Sequence, residues 1–243
     1  MDKRCKIAHA KLLAGTCPWC GCRVINGRVD VESEFQGELT EYATHVEIHE
    51  TASLTRMVVD VGPIECHLAA RYVVEVAQEL AVVHGVAPFH GGVRPDNILI
   101  DEAGVAQLGG SKPSLVGEAP NSPVVEELLD VSGVVDCLAP EQALTACKAD
   151  LRSDIYSLGC TFYYLLTGRP PFSDGTLSER LLKHQTTMPE SIGKIRPVVP
   201  LELIRICEKM LAKRPNDRYQ TAQEVIAAIA NWRANLPDAD SDR

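Results

Sequence analysis

Two short stretches carry side chains whose types and spacing suit chemistry. The first is Cys17-Pro18-Trp19-Cys20-Gly21-Cys22. A Cys-x-x-Cys turn closed by Gly lets two thiolates face one zinc ion, with backbone amides aimed at the sulfurs, and Cys22 offers a third ligand. A closed structural site needs a fourth, and Cys5, His9, His45 and His49 stand at no recognised spacing for it. Two other readings stay open beside zinc. A redox dithiol would need a buried strand before the motif and a helix opening at its first Cys, whereas Ala8 to Ala14 reads as helical; unligated surface thiols are the plainer reading. The second stretch, His90-Gly91-Gly92-Val93-Arg94-Pro95-Asp96-Asn97, crowds imidazole, guanidinium, carboxylate and amide groups beside two adjacent glycines.

The elements around that second stretch follow from periodicity. Leu68, Ala69, Tyr72, Val73, Val76, Ala77, Leu80 and Val83 recur at three and four, so a helix with one buried stripe runs from Leu68 to His84 into the loop. Asp101 to Gly104 is a turn by composition, followed by the apolar Val105 to Leu108. Leu54 to Val61 turns more apolar than the residues before it. From Lys112 to Ser132, Pro113, Pro120 and Pro123 interrupt any period, which marks a loop. Downstream, a helix opens near Ser153 or Asp154 and stops at Gly168 with Pro170-Pro171 behind it. Thr221 caps a last helix, with Glu224 at the capping-box position. Val29 and Val31, then Val46 and Ile48, alternate with polar residues as short strands, and Asn26-Gly27 suits a hairpin turn.

The loop from His90 to Leu99 resembles the catalytic loop of protein kinases, His-Arg-Asp-Leu-Lys-Pro-Glu-Asn-Ile-Leu. Two further runs strengthen the likeness: Val131-Ser-Gly-Val-Val-Asp-Cys-Leu-Ala-Pro-Glu-Gln142, and Asp150 to Phe172, which follows the large-lobe signature of bacterial serine/threonine kinases. Lys209 to Val225 is similar to the run that closes that lobe. In the family, the loop Asp deprotonates the substrate hydroxyl, the Lys meets the transferred phosphate, and the Asn with a second Asp holds magnesium. The resemblance puts Gly92 at the base, Arg94 at the Lys, Asn97 at the Asn and Gly110 at the second Asp. It puts Val134 at a Thr and Cys137 at a Tyr. His90, Glu141, Asp154 and Arg218 fall on positions that hold the lobe together; Glu141 and Arg218 would form an ion pair, and Asp154 would brace the loop. Asn97 is the one cofactor-binding position retained, and a hydrogen bond to the loop backbone is the role preferred for it. Upstream there is no Gly-x-Gly-x-x-Gly, and Lys11 is the only lysine after Lys6 and before Lys112.

Composition bounds the rest. At 243 residues and 45% hydrophobic content the chain can bury a sizeable core. Its formal charge of -9 argues against a non-specific nucleic-acid or anionic-membrane binder. No run reaches the roughly 20 apolar residues that span a bilayer, and the start lacks an apolar signal core, so a cytoplasmic location is expected. Of nine cysteines, Cys66, Cys137, Cys147, Cys160 and Cys207 are scattered singly, as packed reduced thiols would be.

The expectation is an α+β, mainly α protein: a kinase-like helical large lobe with a reduced or atypical small N-terminal lobe. Residues 1–41 would form a Cys-containing knuckle with remnant strands, 42–231 the kinase-like domain and 232–243 an acidic tail. The resemblance implies an inactive pseudokinase acting as a scaffold or regulator through a protein partner. No cofactor is expected; zinc at the Cys knuckle stays open, and the lost positions speak against ATP and magnesium. Residual ATP-dependent serine/threonine kinase activity, and a zinc-binding interaction module on a kinase scaffold, are the alternatives.

Overall fold

In the computed structural model of the chain, one buried helix, Leu151–Thr167, is the post against which several others pack. The structure describes the backbone of 14–16, 23–25 and 28–29, and residues 52–109, 132–144 and 149–236. The described elements are β1 (Ala14–Thr16), β2 (Arg23–Ile25), β3 (Arg28–Val29), β4 (Ala52–Ser53), α1 (Leu54–Val61), α2 (Cys66–Val83), β5 (Ile98–Ile100) and β6 (Ala106–Leu108). They continue with α3 (Ser132–Val135), α4 (Pro140–Leu144), α5 (Leu151–Thr167), α6 (Leu177–Thr186), α7 (Ile192–Ile195), α8 (Leu201–Met210) and α9 (Ala222–Ala234). The architecture is α+β and mainly α.

Helix α5 buries Ile155, Tyr156, Leu158, Cys160, Phe162, Tyr163, Leu165 and Leu166. Each large apolar side chain so buried contributes about 1.5 to 3 kcal/mol against exposure. Helices α2 and α8 pack on α5, and α9 packs on α2 and α8. Gly159 permits the α5–α8 approach, because a Cβ there would lie 2.8 Å from the Met210 Cβ. Ser153 and Asp154 stand in the first turn of α5, as expected, behind the cap itself. Asp150 is the N-cap, its carboxylate accepting from the Arg152 N–H while Ser153 returns a bond to the Asp150 N–H. Asp154 is left free for another task. Gly168, at φ 79°, closes the C-terminus in the left-handed region where a Cβ is costly.

Strands β4, β5 and β6 form an antiparallel sheet, with Ser53 opposite Leu99 and Leu99 opposite Gln107. The outer edge of β6 is met by helix α2. The Ala106 N–H donates to Glu75 and the Leu108 N–H to Glu79, both at 2.7 Å. Carboxylates four apart on a helix are about 6 Å apart and alternate strand amides about 6.7 Å apart, so the two spacings match.

Several expectations change. Ala14, the last residue of the segment 8–14 read as helical, opens strand β1, where Ala14, Gly15 and Thr16 pair with Ile25, Val24 and Arg23, whose β-branched residues favour the hairpin; residues 8–13 lie outside the described residues. Ile25 opposes Arg28, leaving the two residues expected for the Asn26-Gly27 turn. Thr221 accepts from Glu224 N–H, but the Glu224 carboxylate takes the Gln220 N–H instead of completing the box. Cys66, Cys137, Cys160 and Cys207 are free and buried. Cys17, Cys20, Cys22, Cys147, Gly110 and the loop from Lys112 lie outside the described residues.

Candidate functional site

The loop between α2 and β5 is held by one buried carboxylate. Asp154, 1% exposed, accepts from the His90 N–H at 2.6 Å and the Gly91 N–H at 2.8 Å, and from His84 Nε2 at 2.8 Å. Three donors satisfy a charge that would otherwise be costly to bury. His84, at the C-terminal end of α2, ties that helix to α5 through this carboxylate; sequence reading missed it because a lone His after an amphipathic stripe reads as solvent-facing.

The loop then turns through Gly91, at φ 76°, a conformation a side chain would strain. The Gly92 N–H donates to His90 Nδ1 at 3.2 Å. The Gly92 position is close-packed: a Cβ would lie 3.2 Å from Asn97 Nδ2 and from His90 Cε1. Arg94 is turned onto Asp96, with Nε to Oδ2 at 2.8 Å. Asn97 directs its amide into the backbone, Nδ2 donating to the Gly92 carbonyl at 2.8 Å and to the Gly109 carbonyl at 3.3 Å. The Gly109 N–H returns to the Asn97 carbonyl at 2.7 Å. Two bonds therefore lace the loop to the residue after β6, and a third, from Asn97 to the Gly92 carbonyl, closes the loop on itself, at the point where two metal ligands would have to face each other.

Magnesium prefers hard anionic oxygens in near-octahedral array. The sequence offers glycine at 92 and 110, the Asn97 amide is committed to two carbonyls, and the Asp96 carboxylate is engaged by Arg94. These residues do not fit a magnesium-bound nucleotide phosphate. A general base is likewise missing at position 92, where only a hydrogen stands.

The second cluster is structural. Arg218, 2% exposed, uses all five N–H donors: two to Glu141 at 2.7 and 2.8 Å, and one each to the carbonyls of Ala212, Arg152 and Lys213. Ser153 Oγ adds a third bond to Glu141 at 2.7 Å. Burial pushes the Glu141 carboxyl up, but the Arg218 hydrogen bonds and charge, with Ser153, outweigh it and leave the group below its ordinary value. Nearby, α6 contributes His184, fully buried with Nδ1 2.9 Å from the Tyr156 hydroxyl, and burial together with Lys213 and Arg180 pulls it down to about 3.

The fold and these two clusters define a protein kinase large lobe. The family model described as the protein kinase domain matches residues 33–228, and the chain belongs to that family. It is 32% identical over 191 residues to the serine/threonine-protein kinase PrkC of Bacillus subtilis, a match covering 77% of this chain and 28% of PrkC. It is 31% identical over 186 residues to PknB of Mycobacterium leprae, covering 76% of this chain and 29% of PknB. The chain thus spans under a third of the length of these relatives. Among solved structures, Rad53 residues 1–466 in complex with AMP-PNP superposes with a TM-score of 0.58 at 20% identity, over 74% of this chain and 44% of that one. No helix among the described residues is long and apolar enough to cross a membrane.

Proposed function

We propose that this chain is a catalytically inactive member of the protein kinase family, a pseudokinase that works as a scaffold or regulator by contacting another protein. The observation that carries the reading is the division between kept and lost groups. Asp154 with the loop amides, and Glu141 with Arg218, hold the lobe as a kinase lobe is held. Gly92 and Gly110 stand where the resemblance puts the base and the metal carboxylate, and Asn97 is spent on backbone carbonyls. Phosphoryl transfer is positioning and electrostatics, so losing both carboxylates leaves little to accelerate it. Cys17, Cys20 and Cys22 would add a zinc knuckle, a part that metal analysis of the purified protein tests separately.

Residual kinase activity is the competing reading, favoured by the names of the relatives, PrkC and PknB. Radiolabel transfer from ATP by the wild-type chain separates the two, and the Gly92→Asp, Gly110→Asp double variant tests whether a nucleotide site survives. If the lysine and glycine-rich loop that hold ATP are missing as well, the variant stays inactive and its melting temperature does not respond to millimolar ATP with magnesium. Activity restored by the two carboxylates alone would show that a working nucleotide site had survived.

A further inference from the structure

Lys213, just past helix α8, points its ammonium at two aromatic rings and at no carboxylate. Its Nζ donates to the hydroxyl of Tyr156, a fully buried residue of α5, at 3.3 Å. The same Nζ lies 5.0 Å from the centre of the Phe172 ring and 5.6 Å from that of Tyr156. The Tyr156 hydroxyl is shared with His184 Nδ1 of α6, at 2.9 Å, and the His184 ring meets Phe172 edge-on at 4.8 Å. The amine thus sits in a half-buried cage of two rings, one hydroxyl and one imidazole.

The charges around the cage do not offset it. Arg218 holds Glu141, Arg152 holds Asp150 and Arg180 holds Asp136. Among the described residues no carboxylate pairs with Lys213. A like charge shares the cage instead, for the Arg218 guanidinium lies 4.8 Å from the centre of the same Tyr156 ring. An amine desolvated beside another cation is a lysine whose neutral, nucleophilic form exists near neutral pH. Burial, aided by the Arg218 charge, pulls the Lys213 ammonium down to about 8.

We propose that Lys213 is a site of acyl modification, its Nζ taking the acyl group of a small acyl phosphate. The donor is small because two rings flank the nitrogen. It is anionic because the next residue, Arg214, is 80% exposed and met by Asp217 only at 4.0 Å, which leaves this edge of the lobe positive. The Nζ lone pair attacks the carbonyl carbon, a C–N bond forms and the C–O bond to phosphate breaks. Phosphate leaves with that electron pair and takes the amine proton, so the step needs no oxidant or reductant. The amide product keeps one N–H for the Tyr156 hydroxyl and removes a cation that nothing pairs.

The test uses the whole folded chain with acetyl phosphate from pH 7 to pH 9, each lysine followed in time by digestion and mass spectrometry. At pH 7 Lys213 reacts about tenfold faster than Lys183, Lys194 and Lys209, because more of it is neutral there. Its rate levels off above about 8. The preference disappears in denaturing urea, where the cage is gone, and is smaller with an uncharged acetyl ester than with acetyl phosphate. A folded Lys213 that reacts no faster than the other three, or a preference that persists in urea, would overturn the site. Equal preference with the uncharged ester would overturn the acyl phosphate as its donor. None of these readouts needs a variant, and none depends on whether the chain transfers phosphate.

Discussion

Asn97 leans on Gly109 so closely that a Cβ at 109 would fall 2.5 Å from Asn97 Oδ1 and 2.9 Å from the Asn97 carbonyl. The glycine and the amide form a matched pair: the missing side chain gives Asn97 room to bond to the carbonyls of Gly92 and Gly109. Gly109→Ala thus forces the loop apart and lowers stability by about 1 to 3 kcal/mol. Asn97→Ala loses the same lacing from the other side and costs about 1 to 3 kcal/mol. Urea denaturation of both single variants and the double checks the pairing: the two losses fall short of adding, because they remove one shared contact.

Arg218 has no spare donor, so its loss strands a part-buried Glu141 and opens three backbone carbonyls. Arg218→Ala lowers stability by about 3 to 5 kcal/mol. Arg218→Lys recovers only a fraction, since an ammonium cannot reproduce the two-pronged grip on the carboxylate. Chemical denaturation of the two variants side by side measures the difference.

The same pair sets an acid limit. Glu141 is held below its ordinary value of 4.5 in the folded chain, so its contribution is fully present above that pH and is lost as pH falls through the lowered folded value. Asp150, lowered chiefly by its hydrogen bond to Arg152, acts in the same direction. Stability measured from pH 6 down to pH 3 falls for the wild type, and the fall is shallower for Glu141→Gln.

Gly91 turns the loop with positive φ, directly after the amide that Asp154 holds. Gly91→Ala costs about 1 to 2 kcal/mol through backbone strain. The check is a lowered melting temperature with an unchanged far-ultraviolet circular dichroism spectrum.

Glu75 and Glu79 cap the edge of β6 from a neighbouring helix. Glu79→Ala leaves the Leu108 N–H without its acceptor and costs about 1 to 3 kcal/mol, while Glu79→Gln keeps a carbonyl in place and costs less. Hydrogen exchange at Leu108 reports the change residue by residue.

Much of the lobe was legible by two routes. The apolar stripe from Leu68 to Val83 locates α2 by periodicity, whereas α5, buried nearly all round, was located by its likeness to the large-lobe signature and by the stop at Gly168. The contacts that cross between elements were legible only where the resemblance supplied them, as for Glu141 with Arg218 and Asp154 with the loop. Glu75 and Glu79 sit on the polar side of α2, where charge normally means water, and only the matching rise of helix and strand turns them into caps. The resemblance alone placed Asp154 against the loop; by position it suited the helix start equally well, where Asp150 is the cap and leaves Asp154 to turn inward. Gly109 gave no signal, since a glycine's close neighbours are a property of the fold. Ala14 was read as the end of a helix because its neighbours in sequence are locally compatible with one, while its pairing with Ile25 is decided across a turn.

The central claim is the loss of phosphoryl transfer, and radiolabel incorporation from γ-labelled ATP into a generic basic protein, with magnesium and with manganese, tests it most directly. The account predicts incorporation indistinguishable from a sample lacking this protein, at every enzyme concentration. Label that rises in proportion to the protein and vanishes on chelation would contradict it, and would mean that a carboxylate other than those expected at 92 and 110 performs the chemistry.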